Sequence, residues 1–381
     1  MSYSHKKIME YIKADAAAVF LPERQPEDSA KKMLVIVPDL ELTGAMTVLM
    51  DLLPVFQSKG IFLYILSAGE DGKFREKLTE QGTVVFIRPY VICDSDYRHF
   101  LQEAFDFVFL NSSSCFYYAY YFMNQPVKVF WWFHETKEQL DTQKELLNLR
   151  LLSDNFTLLG VTERVVQGMK ERFYIDIENL PMPVHDCYQE SGKNREEKVL
   201  FFMPAAYTYI KGQDILLKAI IMLPEEYLEK AQFVFCGYCL PGQETFYRNI
   251  KEIARKIPEV VFLDELERSE VYEWYRRCDC VIAPSRVDAT PTTIVEAMMH
   301  QKLCIVSDAA GISSYMKDCV NGFVFPSTNA QELFKRILLV IEARNELEKV
   351  AKAGRKVYEE NFSIDAVAGK VDKMIGESYD G

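Results

Sequence analysis

The chain has 381 residues, of which 49% are hydrophobic and 26% charged, and its formal net charge is −12. This size and balance fit a globular protein of two or three domains. The acidic balance excludes a general nucleic-acid binder, because phosphate binding relies on clustered Lys and Arg. No apolar run approaches the ~20 residues that span a bilayer, and the first residues lack a signal-peptide core. The sequence therefore predicts a cytoplasmic protein.

The first half of the chain alternates short apolar runs with helical patterns. The apolar runs occupy residues 33–37, 61–66, 83–87, 107–110 and 127–133. Strands without polar alternation are buried on both faces, as in a parallel sheet covered by helices. A helix is predicted after Gly44, with an apolar stripe formed by Ala45, Met46, Val48, Leu49, Leu52, Leu53 and Phe56. We expect an N-terminal extension over residues 1–30 and a Rossmann-like domain over residues 31–186.

The same rhythm restarts after a polar stretch. Residues 187–197 read as a linker, and further apolar runs follow at 198–203, 232–236, 259–263, 279–284 and 302–306. We predict a second Rossmann-like domain over residues 198–360, and a C-terminal helix over 361–381 that crosses back to the first domain. The expected fold class is α/β, with two doubly wound domains facing across a cleft. Ligands of such sheets bind beyond the carboxyl ends of the strands.

Two cysteines, Cys236 and Cys239, have the two-residue spacing of redox pairs and of half zinc sites. A zinc site needs a second pair, and the nearest, Cys278 and Cys280, has a different spacing. A redox pair is expected at a helix start early in a small domain. We interpret these cysteines as structural, and because no Asp, Glu or His cluster stands out, we predict no metal site.

The stretch from Arg286 to Gln301 holds two acidic residues eight positions apart. Pro291 is comfortable only in the first turn of a helix, so we predict a strand ending near Pro284, a loop carrying Asp288, and a helix from about Pro291 that contains Glu296. The two carboxylates could hold one polyhydroxylated ligand, and the free N–H groups of the helix would favour an anion. The alternative is that both acids only cap the helix or balance its dipole.

Residues 284–325 resemble the donor-binding region of family 4 glycosyltransferases, which are retaining enzymes of the GT-B fold. The order of Asp288, Glu296, the Ala-Met pair, a strand, a glycine turn and a later Asn-Gly is similar to that of the family. Three further segments resemble it: YIKGQDILLKAI at 209–220, the first strand and glycine loop at 35–53, and WWFHE at 131–135. The resemblance covers roughly residues 33–360.

The resemblance implies a role for each matching residue. Glu296 would bind the ribose of a nucleotide-diphosphate sugar, since a carboxylate can accept from both hydroxyls. Asp288 would hold the transferred sugar, Lys211 would neutralise the leaving diphosphate, and His134 would bond the donor sugar near the reacting carbon. The backbone N–H groups of Thr292, Thr293 and Ile294, and those near Gly44, would complete the anion site. His134 could instead be a half-buried structural histidine.

The chain departs from the family pattern at several positions. Ala205 or Ala206 stands where the family usually has an arginine, and Asp288 replaces the usual Glu. The loop between the two acids is ATPTT instead of glycine-rich. Ser314 stands where a Glu is common, and Thr43 where a second glycine is frequent. These changes raise the prospect of an altered donor, a slow enzyme or an inactive member of the family.

Three function classes remain open from the sequence. The first is a metal-independent, retaining glycosyltransferase of the hexosyltransferase type, without a cofactor, that acts on a glycan, lipid-linked or protein acceptor in bacterial surface polysaccharide or glycoconjugate synthesis. The second is a non-catalytic GT-B subunit that partners another glycosyltransferase. The third is a sugar-nucleotide epimerase or a phosphorylase on the same architecture. Peripheral contact with the inner face of a membrane is left open, because helices of the first domain could dock on a bilayer, although no basic amphipathic face stands out.

Overall fold

The structure, a computed structural model, describes residues 3–23, 30–41, 44–88, 95–143, 149–189 and 197–376. These residues form two compact units. The first contains the chain up to Pro183 together with the residues from Ile364 onwards, and the second spans Val184–Ser363. The domain boundary predicted after residue 186, and the C-terminal helix predicted from residue 361, each differ from these divisions by a few residues. Residues 190–196 of the predicted linker lie outside the described part of the chain.

The first unit has an α/β fold built on one sheet. Its strands are β1 (Ala18–Phe20), β2 (Lys31–Val37), β3 (Ile61–Ser67), β4 (Val84–Ile87), β5 (Phe107–Asn111), β6 (Lys128–Phe133), β7 (Phe156–Gly160) and β8 (Glu178–Asn179). Its helices up to residue 173 are α1 (His5–Asp15), α2 (Gly44–Ser58), α3 (Arg75–Glu80), α4 (Ser95–Glu103), α5 (Phe116–Phe122), α6 (Lys137–Leu140) and α7 (Glu163–Phe173). A 3₁₀ turn, Ser113–Cys115, follows β5.

The strand order of this sheet is β1-β4-β3-β2-β5-β6-β7-β8. The pairings from β4 to β8 are parallel, and β1 adds an antiparallel edge strand by pairing Ala18 with Ile87. From β4 to β7 the order is that of a doubly wound sheet, in which the order of strand addition reverses between the neighbouring parallel strands β2 and β5. The central strands are almost entirely buried, as their unbroken apolar sequences predict, although Phe62 in β3 is only half-buried.

The second unit repeats this plan with a parallel sheet of six strands in the described residues. The strands are β9 (Val199–Pro204), β10 (Ala231–Cys236), β11 (Val260–Leu263), β12 (Cys280–Ala283), β13 (Leu303–Ser307) and β14 (Phe323–Phe325), in the order β11-β10-β9-β12-β13-β14. The helices are α8 (Gln213–Ile221), α9 (Glu225–Leu228), α10 (Glu244–Ala254), α11 (Arg268–Arg277), α12 (Thr292–Met299), α13 (Ala330–Ala343) and α14 (Glu348–Asn361). The order of strand addition reverses between β9 and β12. The predicted α/β fold class is confirmed.

Helix α2 buries the apolar stripe that its sequence predicts. Met46, Val48, Leu49, Leu52, Leu53 and Phe56 are at most 5% exposed, whereas Ala45 is only half-buried. The last helix, α15 (Ile364–Gly376), packs on α2 within the first unit, and Lys59 Nζ lies 2.6 Å from a carboxylate oxygen of Asp372. In the part of the chain that the structure describes, no helix is long and apolar enough to cross a membrane.

Candidate functional site

The turn after β9 presents Lys211 at the point where the second sheet reverses. The Thr208 side chain accepts a bond from the Lys211 N–H and so caps the 3₁₀ turn Tyr209–Lys211. Gly212 follows with φ +76°, and a Cβ there would lie 2.1 Å from the carbonyl oxygen of Pro284. Glycine is therefore required both by the left-handed backbone and by the close approach of the end of β12.

Asp288 lies in the loop after β12 and meets Lys211 directly. Its Oδ2 is 2.6 Å from Lys211 Nζ and 3.4 Å from the hydroxyl of Ser285. Its backbone oxygen accepts a bond of 2.8 Å from the N–H of Gly311, which ties the loop to the turn after β13. The Asp288 side chain is 10% exposed and that of Lys211 is 32% exposed, so the ion pair is partly accessible to solvent.

Arg286 fixes these two turns to each other. Its guanidinium donates two bonds of 2.8 Å to the carboxylate of Asp214, stacks 3.7 Å from the centre of the Tyr209 ring, and its backbone N–H donates to Ile210 O at 2.7 Å. Burial opposes the charge of Asp214, but the bonds from Arg286 outweigh it and hold the pKa of Asp214 below its usual value. The two-pronged contact supplies the rigidity that positions Lys211 and Asp288.

The first turn of α12 directly follows the same loop. The helix begins at Thr292, within one residue of the predicted start, with Pro291 as its N-cap and no side-chain bond at the cap. Thr292 and Thr293 occupy the first turn, where helical N–H groups lack partners within the helix. The N–H of Ile294 donates to Pro291 O at 3.0 Å, and its contact with an anion stays a prediction. The Thr290 hydroxyl just before the helix is buried and has no hydrogen-bond partner among the described residues.

Glu296 lies inside α12, and its carboxylate contacts two side chains of helix α11. Its Oε2 accepts a bond of 3.0 Å from the hydroxyl of Tyr275, and its Oε1 lies 3.4 Å from Arg268 Nη2. Tyr275 is fully buried, and burial raises the pKa of its phenol well above the usual value, so the phenol remains a hydrogen-bond donor. The side chain of Glu296 is 14% exposed, so it is not fully enclosed by the protein.

His134 and Gly44 belong to the first unit. His134 follows β6, and its Nε2 lies 2.9 Å from Oδ1 of Asn111 at the end of β5. Burial lowers the pKa of His134 to about 3, so the imidazole is neutral at physiological pH. Gly44 begins α2, and a Cβ there would meet nothing within 4 Å, so the protein's own packing does not require glycine at this position.

Several residues of the site escape sequence reasoning. The motifs name Lys211, Asp288 and Glu296 but give no sign of Tyr275 or Arg268, which come from the neighbouring helix α11. The partners Arg286, Asp214 and Asn111 are also missed. Asn111 had a detectable signal, since it is a polar residue directly after a predicted apolar strand, and ligands of doubly wound sheets bind beyond the carboxyl ends of the strands. In the described part of the chain, no three His, Cys, Asp or Glu side chains group as metal ligands.

Comparison with known proteins identifies the class. Residues 187–357 match the family model described as glycosyl transferases group 1, and residues 29–155 match that of glycosyl-transferase family 4. The two matches cover most of the chain and fall on the two α/β units in turn. The fold and these matches define a glycosyltransferase of the GT-B class. The chain belongs to the family 4 glycosyltransferases, which confirms the resemblance seen in its motifs.

Individual relatives are distant. An uncharacterised glycosyltransferase of Methanocaldococcus jannaschii is 25% identical over 177 residues, which are 46% of this chain and 47% of the relative. The N,N'-diacetylbacillosaminyl-diphospho-undecaprenol alpha-1,3-N-acetylgalactosaminyltransferase of Campylobacter jejuni is 28% identical over 111 residues, which are 28% of this chain and 30% of the relative. The chain thus spans less than half the length of the curated relatives it matches.

Solved structures resemble almost the whole chain. Anabaena HepE, solved with UDP and glucose, has a TM-score of 0.76 at 16% identity and covers 91% of this chain and 99% of its own. A glycosyltransferase from Rickettsia africae has a TM-score of 0.75 at 16% identity and covers 93% of this chain and 100% of its own. At this identity the likeness shows the fold alone.

Proposed function

We propose that this chain transfers a sugar from a nucleotide-diphosphate sugar to a glycan or glycoconjugate acceptor, with retention of configuration and without a metal ion. The observation that carries the proposal is the contact of Lys211 with Asp288 where the second sheet reverses, beside the first turn of α12. Nucleotide ligands of doubly wound sheets bind at this place. The buried hydroxyl of Thr290, which has no partner among the residues that the structure describes, supports a polar ligand there.

In this proposal the donor diphosphate binds between Lys211 and the N–H groups of Thr292 and Thr293. A cation and aligned N–H dipoles that are positioned in advance stabilise the charge that develops on the departing phosphate. Glu296 accepts hydrogen bonds from the ribose hydroxyls, and Asp288 accepts them from the transferred sugar. Lys211 must leave Asp288 to reach the diphosphate, so donor binding replaces one ion pair by another. Gly44 has room for close approach of a ligand to its backbone.

The reaction is balanced without a co-reactant. The bond from the anomeric carbon to the diphosphate breaks, and a bond from that carbon to the acceptor oxygen forms on the same face. The acceptor's proton passes to a phosphate oxygen, and the nucleoside diphosphate leaves. His134 in its neutral form bonds to a hydroxyl of the transferred sugar and orients it. We expect His134→Ala to lower turnover and to leave nucleotide affinity nearly unchanged.

The relatives favour particular substrates. Anabaena HepE was solved with UDP-glucose, which favours a UDP-sugar donor of the hexosyl type. The name of the Campylobacter relative gives it an undecaprenol-linked saccharide, which favours a lipid-linked acceptor and a role in bacterial surface glycan or glycoconjugate synthesis.

A second function, a non-catalytic subunit that partners another glycosyltransferase, is favoured by a specific observation. Ala205 and Ala206 stand where the family usually has an arginine, and Lys211 is already neutralised by Asp288. Such a subunit would keep the fold without binding a donor.

Thermal unfolding with UDP-, GDP-, ADP- and dTDP-sugars separates these functions. A ligand at 100 times its dissociation constant stabilises the folded protein by about 2.7 kcal/mol. The proposed enzyme shows such a shift with at least one donor and releases the nucleoside diphosphate when acceptor is added. No shift with any donor would favour the subunit, and interconversion of donors without an acceptor would indicate an epimerase.

A further inference from the structure

The imidazole of His134 is hydrogen-bonded to the protein through Nε2. Its Nε2 lies 2.9 Å from Oδ1 of Asn111, and the ring of Trp132 meets it edge-on with centroids 4.3 Å apart. Nδ1 has no hydrogen-bond partner among the residues that the structure describes. Because Asn111 is fully buried while His134 is only half-buried, the ring is anchored through Nε2 in the protein.

A neutral imidazole carries one proton, on Nε2 or on Nδ1, and the two tautomers present opposite groups to a ligand. Burial keeps His134 neutral at physiological pH. The bond made by one ring nitrogen decides which nitrogen carries the proton. Asn111 Oδ1 is an acceptor, so Nε2 carries the proton and Nδ1 presents a lone pair.

The bond to His134 is the one hydrogen bond that the Asn111 amide makes among the described residues. Asn111 is 0% exposed, and its Nδ2 is buried without a partner among the described residues. A buried amide with an unpaired N–H₂ group costs stability, whereas a leucine of similar volume would not. The bond to His134 is therefore the interaction that an amide provides at this position and a leucine would not.

The backbone on both sides of this pair is also fixed. The carboxylate of Glu135 accepts from the hydroxyl of Ser112 at 2.8 Å, from the N–H of Ser113 at 3.1 Å and from the N–H of His134 at 3.0 Å. Ser112 has φ +89°, which is strained for a serine. Glu135 thus clamps the end of β5, next to Asn111, against the end of β6, next to His134.

We propose that Asn111 is a positioning residue for the transfer reaction. Its Oδ1 accepts the Nε2 proton of His134, which holds the imidazole in the Nε2–H tautomer and directs the bare Nδ1 towards a hydroxyl of the transferred sugar. The first half of this inference concerns the free protein, and the second half rests on the function proposed above. Asn111 therefore acts through His134 and does not touch the sugar.

NMR of the full chain labelled with ¹⁵N-histidine tests the inference without any substrate. His134 is assigned by the signal that disappears in His134→Gln. The long-range ¹H–¹⁵N pattern distinguishes a protonated Nε2 from a protonated Nδ1. We expect wild-type His134 to show a protonated Nε2 and a bare Nδ1. A protonated Nδ1 in the wild type would overturn the inference, whatever the activity of the protein.

Two variants test the role of the amide. In Asn111→Leu we expect a mixture of His134 tautomers, and turnover about 10- to 100-fold lower with little change in KM for the donor, as when a group that orients a histidine is lost. Asn111→Asp keeps an acceptor and should retain the Nε2–H tautomer, but its charge should raise the pKa of His134 and move the acid limb of the rate profile to higher pH. An unchanged tautomer in Asn111→Leu would refute the positioning role.

Asn155 provides the matched control. It belongs to the first unit, and its Nδ2 donates to the backbone oxygens of Phe122 and Val127. Asn155→Leu should lower stability and leave the His134 spectrum unchanged. If the tautomer shifts in Asn111→Leu but turnover does not, the tautomer assignment stands and the role of His134 in the proposed function is wrong.

Discussion

Lys211 and Asp288 form an ion pair of 2.6 Å that joins the turn after β9 to the loop after β12. The pair is partly exposed, so its net contribution to stability is small, on the order of 0–1 kcal/mol. Its importance lies in its position at the reversal of the sheet, where each partner has a separate task in the proposed reaction. In the absence of donor, the ion pair holds both side chains at the reversal of the sheet, where the proposed reaction uses them.

Replacement of Lys211 by alanine should lower turnover about 100- to 1000-fold, or roughly 3 to 4 kcal/mol of transition-state stabilisation, comparable to loss of a positioned oxyanion donor. Lys211→Arg should retain partial activity because it keeps the charge with a different reach. Lys335→Ala, which removes an exposed lysine of α13 paired with Glu332, is the control and should have wild-type turnover. Full activity of Lys211→Ala would show that the diphosphate is held elsewhere.

Replacement of Asp288 by asparagine should separate donor-sugar contacts from nucleotide contacts. The change frees Lys211 and removes a negative charge near the diphosphate, so affinity for the nucleoside diphosphate should stay equal or rise several-fold. Turnover should fall at least about tenfold, because an amide replaces one acceptor oxygen towards the sugar hydroxyls. Calorimetry and steady-state rates measure the two effects. A parallel loss of nucleotide affinity would contradict the division of tasks, and Asp372→Asn should change neither quantity.

Gly212→Ala should destabilise the second unit by at least about 2 kcal/mol, since it adds a Cβ in a left-handed conformation against the oxygen of Pro284. Gly369 is the matched control, because it lies in α15 with nothing within 4 Å of its added Cβ. Gly369→Ala should be neutral or stabilising by up to about 1 kcal/mol. Urea denaturation of both variants measures the difference, and equal effects would refute the packing argument.

Acid should destabilise the protein through His300. Burial, followed by the charges of Lys302 and Arg276, lowers the pKa of this histidine from 6.5 to about 4. Between these values the unfolded chain binds a proton that the folded chain does not, so stability falls as the pH falls, by about 1.4 kcal/mol per unit for one proton. His300→Phe keeps the stacking on Tyr275 and removes this titration. From pH 7 to pH 5 the variant should lose about 1 to 2 kcal/mol less than the wild type in urea denaturation, and an equal loss would contradict the assignment.

The long apolar strands could be predicted from the sequence because burial on both faces leaves an unbroken apolar run. The strands β1, β7, β8 and β14 were not predicted. β1, β8 and β14 are two or three residues long, and only their pairing with a neighbour distinguishes them from a loop.

The candidate site shows the same limit. Lys211, Asp288 and Glu296 belong to ordered motifs and could be named in advance. Their partners could not, because Asp214 and Arg286, or Tyr275 and Glu296, meet only through the tertiary fold. No local pattern of residues records such contacts, and a hydrogen bond such as that of Asn111 with His134 depends on the register of two strands.

The most direct test of nucleotide binding in the second unit is calorimetry of UDP, GDP, ADP and dTDP on wild type, Glu296→Gln and Glu273→Gln. Glu273 is an exposed carboxylate of α11 paired with Arg276 and serves as the control. We predict that at least one nucleotide binds the wild type and Glu273→Gln equally. It should bind Glu296→Gln at least about tenfold more weakly, because an amide N–H₂ would face the ribose hydroxyls and Tyr275. Equal binding to Glu296→Gln, or no binding of any nucleotide to the wild type, would contradict the account.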